Sequence, residues 1–395
     1  MFLQINEPLN FFETYKRLTL IVTNLVLILV VDITAGIAYK KINGYAWYYG
    51  WKNGVSSEQA FRIKSYRYHH DLAKNVNKKN LGRWGGKFYT VSTNSLGFKD
   101  NTNREIPLKS DKKRLVFIGD SFTEGIGLSY EKTFVGLIDG ALEENYSILN
   151  AGVVSYSPII YWKKVEDLII NTGLKFDELI VYLDISDIND EAKKYKLNDS
   201  WIDRAFKGTI ADITQTTLQS ELIKENTILL AWLRSLREKE RKRESARQSK
   251  TPDSTTTQVY TYKDSIDRER SLWTVDEKVF NEYGKRGLDI SAKHMGKLLQ
   301  LLNEHNIKLT VAVYPWPDQI YYDTLESKQV LFWKEWTNKN NVRFINHFTD
   351  LFSLKDKMTA QQIIEEYYIS GDIHFNEKGN ILIKNYFLNQ YPHQK

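Results

Sequence analysis

Apolar and polar positions along the chain fall into successive textures. Between Arg17 and Lys40 the run LTLIVTNLVLILVVDITAGIAY is essentially uncharged, long enough to cross bilayer hydrocarbon as a helix. From residue 40 to about Lys87 a Tyr-, Trp- and Lys-rich stretch shows no clean period and reads as a juxtamembrane linker. From Phe88 short β-branched runs alternate with helical spacings. KFYTVSTNSLGFKD predicts a strand and a turn, Arg114 to Gly119 a buried strand, and EKTFVGLIDGALEEN a helix. SILNAGV predicts a second strand, IIYWKKVEDLIINTG a helix stopped by Gly173, and ELIVYLDIS a third strand. Strands alternating with helices predict a parallel sheet covered on both faces, an α/β fold.

The alternation stops from Asp190 to about Gly284, where the chain turns helical and charged around the polar tract QSKTPDSTTTQ. This segment reads as a helical insertion. Its stretch Arg234 to Lys250 holds eight basic and three acidic residues; it reads as a solvated helix end entering a loop, the alternative being attraction to anionic lipid headgroups or an acidic glycan. The sheet pattern then returns: LDISAKHMGKLLQLLNEHN as an amphipathic helix, IKLTVAVYP and VRFINHF as strands, TAQQIIEEYY as a helix, and a last helix after GDIHFNEKGN. The expected organisation is a tail (1–17), a transmembrane anchor (18–39), the linker (40–87) and one large domain (88–395) with its insertion at about 190–284.

The apolar run has two readings. A single-pass anchor fits its length, while Gly36-Ile37-Ala38 resembles a cleavable small-x-small site, in which case the protein is secreted. Lys16 and Arg17 balance Lys40 and Lys41, so charge does not set the orientation. The large domain is placed outside the cytoplasm because N-terminal anchors are most often used that way.

Composition narrows the chemistry. The net charge of +6 is small for 395 residues and interleaved with acidic groups, which argues against a nucleic-acid partner. With no cysteine, disulfides, thiolate metal sites and a cysteine nucleophile are excluded. The seven histidines show no ligand spacing, so no metal site and no cofactor is assigned. A serine remains. Ser121, in IGDSFTEGIG, follows a predicted parallel strand, where open α/β sheets gather their ligands. The helix that starts there aims backbone amides at a developing oxyanion.

GDSFTEGIG resembles the first motif of the SGNH (GDSL-type) hydrolases, and further motifs follow in the order of that superfamily: NAG at Asn150 to Gly152, Ser186-Asp187 ending the third strand, and Asp372-x-His374 before the last helix. The resemblance implies a flavodoxin-like three-layer fold with Ser121 as nucleophile, His374 as general base and Asp372 orienting it. It further implies an oxyanion hole from Ser121, Gly152 and the third motif. There Ser186 replaces the usual asparagine, with Asn189 as an alternative donor, and Asp187 is expected to face substrate. The acid lies two residues before the histidine, where three is more common. The anchor, NSLGFKD and GDSF together look like the membrane-tethered envelope branch, whose members include acetyltransferases and esterases of polysaccharides. That branch implies an ester or acyl-donor substrate, a carbohydrate acceptor and a multi-span membrane O-acyltransferase as partner. The segment VYPWPDQIYY adds Tyr314, Trp316, Tyr321 or Tyr322 as ring faces for a sugar, or as packing. A non-catalytic glycan-binding subunit that keeps the fold is the alternative function.

Overall fold

A computed structural model describes residues 15–43, 47, 61–65, 67–84, 87–195, 226–233, 236 and 270–391. The tail 1–14, most of residues 44–60, the basic run apart from Leu236 and the tract 248–258 lie outside the described residues. The chain divides into two compact units, one of residues 1–60 with 210–255 and one of residues 61–209 with 256–395.

In the first unit α1 (Lys16–Asn43) is a single 28-residue helix. Its segment Lys16–Tyr39 is, among the described residues, the one helix long and apolar enough to cross a membrane. Leu18 to Val31 are mostly exposed apolar side chains with no acidic group among them, as expected where lipid rather than protein covers a helix.

The second unit is built on a five-stranded parallel sheet in the order β6-β5-β7-β8-β9, with β5 Lys113–Ile118, β6 Tyr146–Asn150, β7 Glu178–Leu183, β8 Lys308–Val313 and β9 Arg343–Asn346. Each central strand is buried on both faces: Leu115 to Ile118 and Leu179 to Leu183 have no exposed surface. Such burial explains why these strands read as continuous apolar runs instead of alternating ones. Strand β5 is followed by the one-turn α2 (Ser121–Glu124) and then α3 (Phe134–Leu142), which leads to β6. Between β6 and β7 lies α4 (Pro158–Glu166), between β7 and β8 α5 (Lys285–Glu304), and between β8 and β9 α6 (Lys328–Lys339). Right-handed crossovers put α3 on one face and α4, α5 and α6 on the other, because the chain steps outward in opposite directions from β5. The final helix α7 (Glu377–Gln390) packs beside α3, and α4 beside α5. This is the three-layer, flavodoxin-like α/β arrangement, whose topological switch point lies between β5 and β7.

Two differences from the sequence expectation matter. The stretch read as linker up to Lys87 folds into two antiparallel hairpins of the sheet-bearing unit, β1 (Arg62–Ser65) with β2 (His69–Leu72) and β3 (Asn77–Trp84) with β4 (Lys87–Ser92). The insertion is also shorter than its expected bounds, because residues 271–284 pack into the same unit. Trp273 there is fully buried and donates its indole N–H to the Ile185 carbonyl at 2.9 Å.

Candidate active site

The first sheet strand ends in a turn with no spare volume. A Cβ on Gly119 would lie 2.1 Å from Thr123 Oγ1 and 2.9 Å from the Tyr182 carbonyl, so the backbone comes close enough to present Ser121 at once. Asp120 then caps the short α2, its carboxylate accepting the Phe122 amide at 3.0 Å. Two cations brace the turn. Arg62, from the first hairpin, donates both terminal nitrogens to the buried Glu124 carboxylate at 2.7 Å, and the Val154 amide adds a third bond. Lys99, from the NSLGFKD turn, donates to the carbonyls of Gly125 and Leu128 at 2.7 and 2.6 Å. Burial pushes the Glu124 carboxyl up, yet the Arg62 guanidinium, helped by Lys99 and the Val154 amide, brings it below the usual value. Glu124 is therefore an anion held inside the fold.

His374 arrives from the far end of the chain. Its Nε2 stands 2.8 Å from Ser121 Oγ, and its Nδ1 lies 2.5 Å from Asp372 Oδ1. The two-residue spacing works because the loop is tight: Gly371 takes φ +71°, Asp372 donates its amide to the Ile369 carbonyl, and Ile369 donates to the His374 carbonyl. The Asp372 carboxylate thus reaches both the ring and the backbone N–H of His374, the latter at 3.0 Å. Burial pushes the Asp372 carboxyl up, but the bonds and charge of His374, with the Trp84 indole, hold it below the usual carboxylate value. An ionised Asp372 fixes the Nδ1–H tautomer and leaves Nε2 to accept the serine proton.

Sequence reasoning missed Trp84. At the tip of the second hairpin, its indole N–H donates to Asp372 Oδ2 at 2.7 Å and its ring meets His374 edge-on, 5.5 Å between centroids. Phe122 packs on the same imidazole at 4.8 Å. Arg62 was missed for the same reason: neither residue carries a local motif, and each matters through a partner distant in sequence. Lys99 lies within NSLGFKD, the signal that marked this turn.

The aromatic pair after β8 is placed otherwise than expected. Tyr314 and Trp316 are 1% and 2% exposed. The Tyr314 hydroxyl donates to Asp184 at 2.7 Å and Asp120 at 3.1 Å, and the Trp316 indole donates to Asp184 at 2.6 Å. The expectation that these rings offer faces to a sugar is corrected in favour of its packing alternative: their polar atoms are drawn inward by the buried carboxylates Asp184 and Asp120. Asp187 is likewise buried, accepting from Tyr161 at 2.9 Å, and its second oxygen has no hydrogen-bond partner. It does not face solvent where a substrate would approach. Burial, then the charges of Asp184 and Asp120, push its carboxyl well above the usual value. Asp120 is raised in the same way by burial and by Asp184.

The expected oxyanion donors fare unequally. Ser121 stands at the start of α2, where N–H groups have no partner inside the helix. Gly152 is packed against this turn so closely that a Cβ would lie 2.8 Å from the Glu124 amide, but its own N–H is donated to Asn150 Oδ1 at 3.0 Å. At Ser186 the expected donor is the side-chain hydroxyl, while the backbone amide is donated to Asp184 Oδ1 at 2.7 Å; Asn189 is half-buried at the end of the short helix Asp187–Asn189. The amides of Gly152 and Ser186 are thus committed to local turns, each closed by a polar side chain two residues earlier.

Beside Trp84 opens a cleft of about 460 Å³, lined among others by Asn80, Phe88, Ser129, Lys132 and Glu377. Ser121 and His374 themselves are 6% exposed.

No protein-family model and no curated protein matches the chain. Solved structures similar to it include a G-D-S-L family lipolytic protein from Veillonella parvula, 13% identical over 71% of this chain and 98% of that one, with a TM-score of 0.36. An acetyl xylan esterase is 14% identical over 71% of this chain and all of that one, TM-score 0.37. A catalytic variant of an acetylxylan esterase from Geobacillus stearothermophilus is 10% identical over 73% and 98%, TM-score 0.38. The likeness is thus to a G-D-S-L family lipolytic protein and to acetyl xylan esterases. At this level of agreement the chemistry is carried by the geometry around Ser121 alone.

Proposed function

We propose that this chain is an SGNH-type serine esterase or O-acyltransferase that acts through an acyl-Ser121 intermediate on a cell-envelope polysaccharide, tethered to the membrane by α1. The observation that carries the reading is the unbroken line from Ser121 Oγ through both nitrogens of His374 to Asp372, at 2.8 and 2.5 Å. In that geometry Ser121 attacks an ester carbonyl while Nε2 takes its proton. The alcohol leaves with that proton as the acyl–oxygen bond breaks, and Asp372 holds the imidazolium in place. Water or a sugar hydroxyl, deprotonated by the same nitrogen, then takes the acyl group from Ser121. For transfer, the donor is an ester or a multi-span membrane O-acyltransferase. The cleft beside Trp84, with aromatic faces and short polar side chains, suits carbohydrate hydroxyls.

The second reading, a glycan-binding subunit without turnover, draws on Ser186 in place of the usual asparagine and on the Gly152 amide, which is engaged within the fold. A fluorophosphonate probe separates the two: labelling that Ser121→Ala abolishes is the expected result, and well-folded protein that never labels supports the binding subunit. Acetate release from an acetyl ester, measured with and without added oligosaccharide, then distinguishes hydrolysis from transfer. Release indifferent to every acceptor counts against transfer.

A further inference from the structure

An acidic side chain sits within the apolar span of α1. Asp32 is 6% exposed, while Val30 and Val31 beside it are 54% and 59% exposed. Its carboxylate accepts the backbone N–H groups of Ile228, Leu229 and Leu230 at 2.8, 2.6 and 3.0 Å. These amides open a second helix at residues 229–233, and first-turn amides have no partner inside their own helix. Carboxylate and helix end therefore satisfy each other, in the orientation that the helix dipole favours. One turn along α1, Gly36 lets the second segment come close: a Cβ there would lie 2.2 Å from the Asn226 carbonyl oxygen. On its other side the segment turns Leu229, Trp232, Leu233 and Leu236 outward, 38% to 44% exposed, with Ala231 fully buried.

We propose that residues 227–233 with Leu236 form a second membrane-embedded element, a re-entrant helix docked on the anchor through Asp32, its outer face in the acyl chains of anionic lipid. The inference goes beyond the enzymatic reading and does not rest on it. Hydrocarbon offers no partner to a carboxylate or to helix-end amides, so an acid within a span persists where protein supplies the donors. Three such donors are present here. Residues 210–255 cluster with α1 and not with the sheet-bearing unit, as suits a segment that enters one leaflet beside the anchor. The sequence then becomes basic at Arg234, Arg237, Lys239, Arg241, Lys242 and Arg243, the charge that anionic headgroups attract.

The chain has no cysteine, so single cysteines carry a nitroxide cleanly. The full chain is reconstituted in vesicles of phosphatidylcholine and phosphatidylglycerol with labels at Leu229→Cys and Leu233→Cys, with Leu25→Cys as the anchor reference and Lys339→Cys as the aqueous one. Expected is a collision rate with a water-soluble nickel chelate about tenfold below that at Lys339→Cys, with oxygen access matching Leu25→Cys. Nickel access at residues 229 and 233 equal to that at 339 overturns the proposal, whether or not residue 25 is protected. In the Asp32→Ala background the label at residue 233 should become nickel-accessible while residue 25 stays protected, and Asp32→Asn, which keeps an acceptor, should change it less. Protection indifferent to Asp32→Ala overturns the docking role of the carboxylate.

Discussion

Replacing Trp84 by phenylalanine keeps a ring against His374 and removes one bond, the indole N–H to Asp372 Oδ2. A hydrogen bond to a charged group contributes roughly 1.5 to 3 kcal/mol, or about ten- to a hundredfold in rate if all of it serves the transition state. Three features reduce that. The Asp372 side chain is 20% exposed, so water can replace the indole in part. It also keeps two bonds from His374, to the ring and to the amide. The expected loss in kcat/KM is therefore about tenfold, at the lower end of that range. The pH profile gives the distinguishing signature. The indole helps to hold Asp372 below its usual value; without it the carboxylate binds protons more readily. Loss of the ionised acid should then set in at higher pH, moving the acid limb of kcat/KM upward. The assay is hydrolysis of p-nitrophenyl acetate across that limb, with thermal melting to confirm the fold. A variant with undiminished kcat/KM and an unmoved acid limb would refute the reasoning that Trp84 positions the acid.

Two further outcomes follow from buried charges. Asp187 has a folded-state carboxyl well above its usual value, so the stability it contributes is full below about pH 4 and lost as pH rises toward the folded value, at up to about 1.4 kcal/mol per pH unit for one group. Asp187→Asn should flatten the decline of urea-unfolding free energy with rising pH, and identical slopes in the two proteins would contradict this. Arg62→Met leaves the Glu124 carboxylate inside without its guanidinium, which should cost about 3 to 5 kcal/mol. Equilibrium unfolding should show Arg62→Met with Glu124→Gln recovering much of it, and a double variant no better than the single would count against the charge argument.

The parallel sheet was legible because both of its faces are covered, which makes β5, β7 and β8 unbroken apolar runs whose ends could be read to within a few residues. Gly173 was legible as a helix stop and takes the left-handed conformation, φ +77°. Ser121, Asp372 and His374 were legible because each sits in a short motif beside such an element, and the structure brings them together. What was hidden has a common physical cause. The β3 segment NKKNLGRW is polar and bulged, so no period marks it, and the value of Trp84 lies in a bond to a residue 288 positions away. Ring direction was hidden too. Tyr314 and Trp316 follow a strand in either case, and only the presence of Asp184 and Asp120 beneath them decides that they point inward. Trp273, inside the expected insertion, gave no warning that it closes over Ile185.

The hairpins at residues 62–92 move the practical boundary between the apolar helix and the sheet-bearing unit. A soluble version trimmed to begin at Phe88 would keep every sheet strand and all three relay residues, yet would discard Arg62 and Trp84 together. Such a fragment risks being taken for a dead homologue when it is an amputated one. Cutting before Phe61 removes α1 and spares both Arg62 and Trp84.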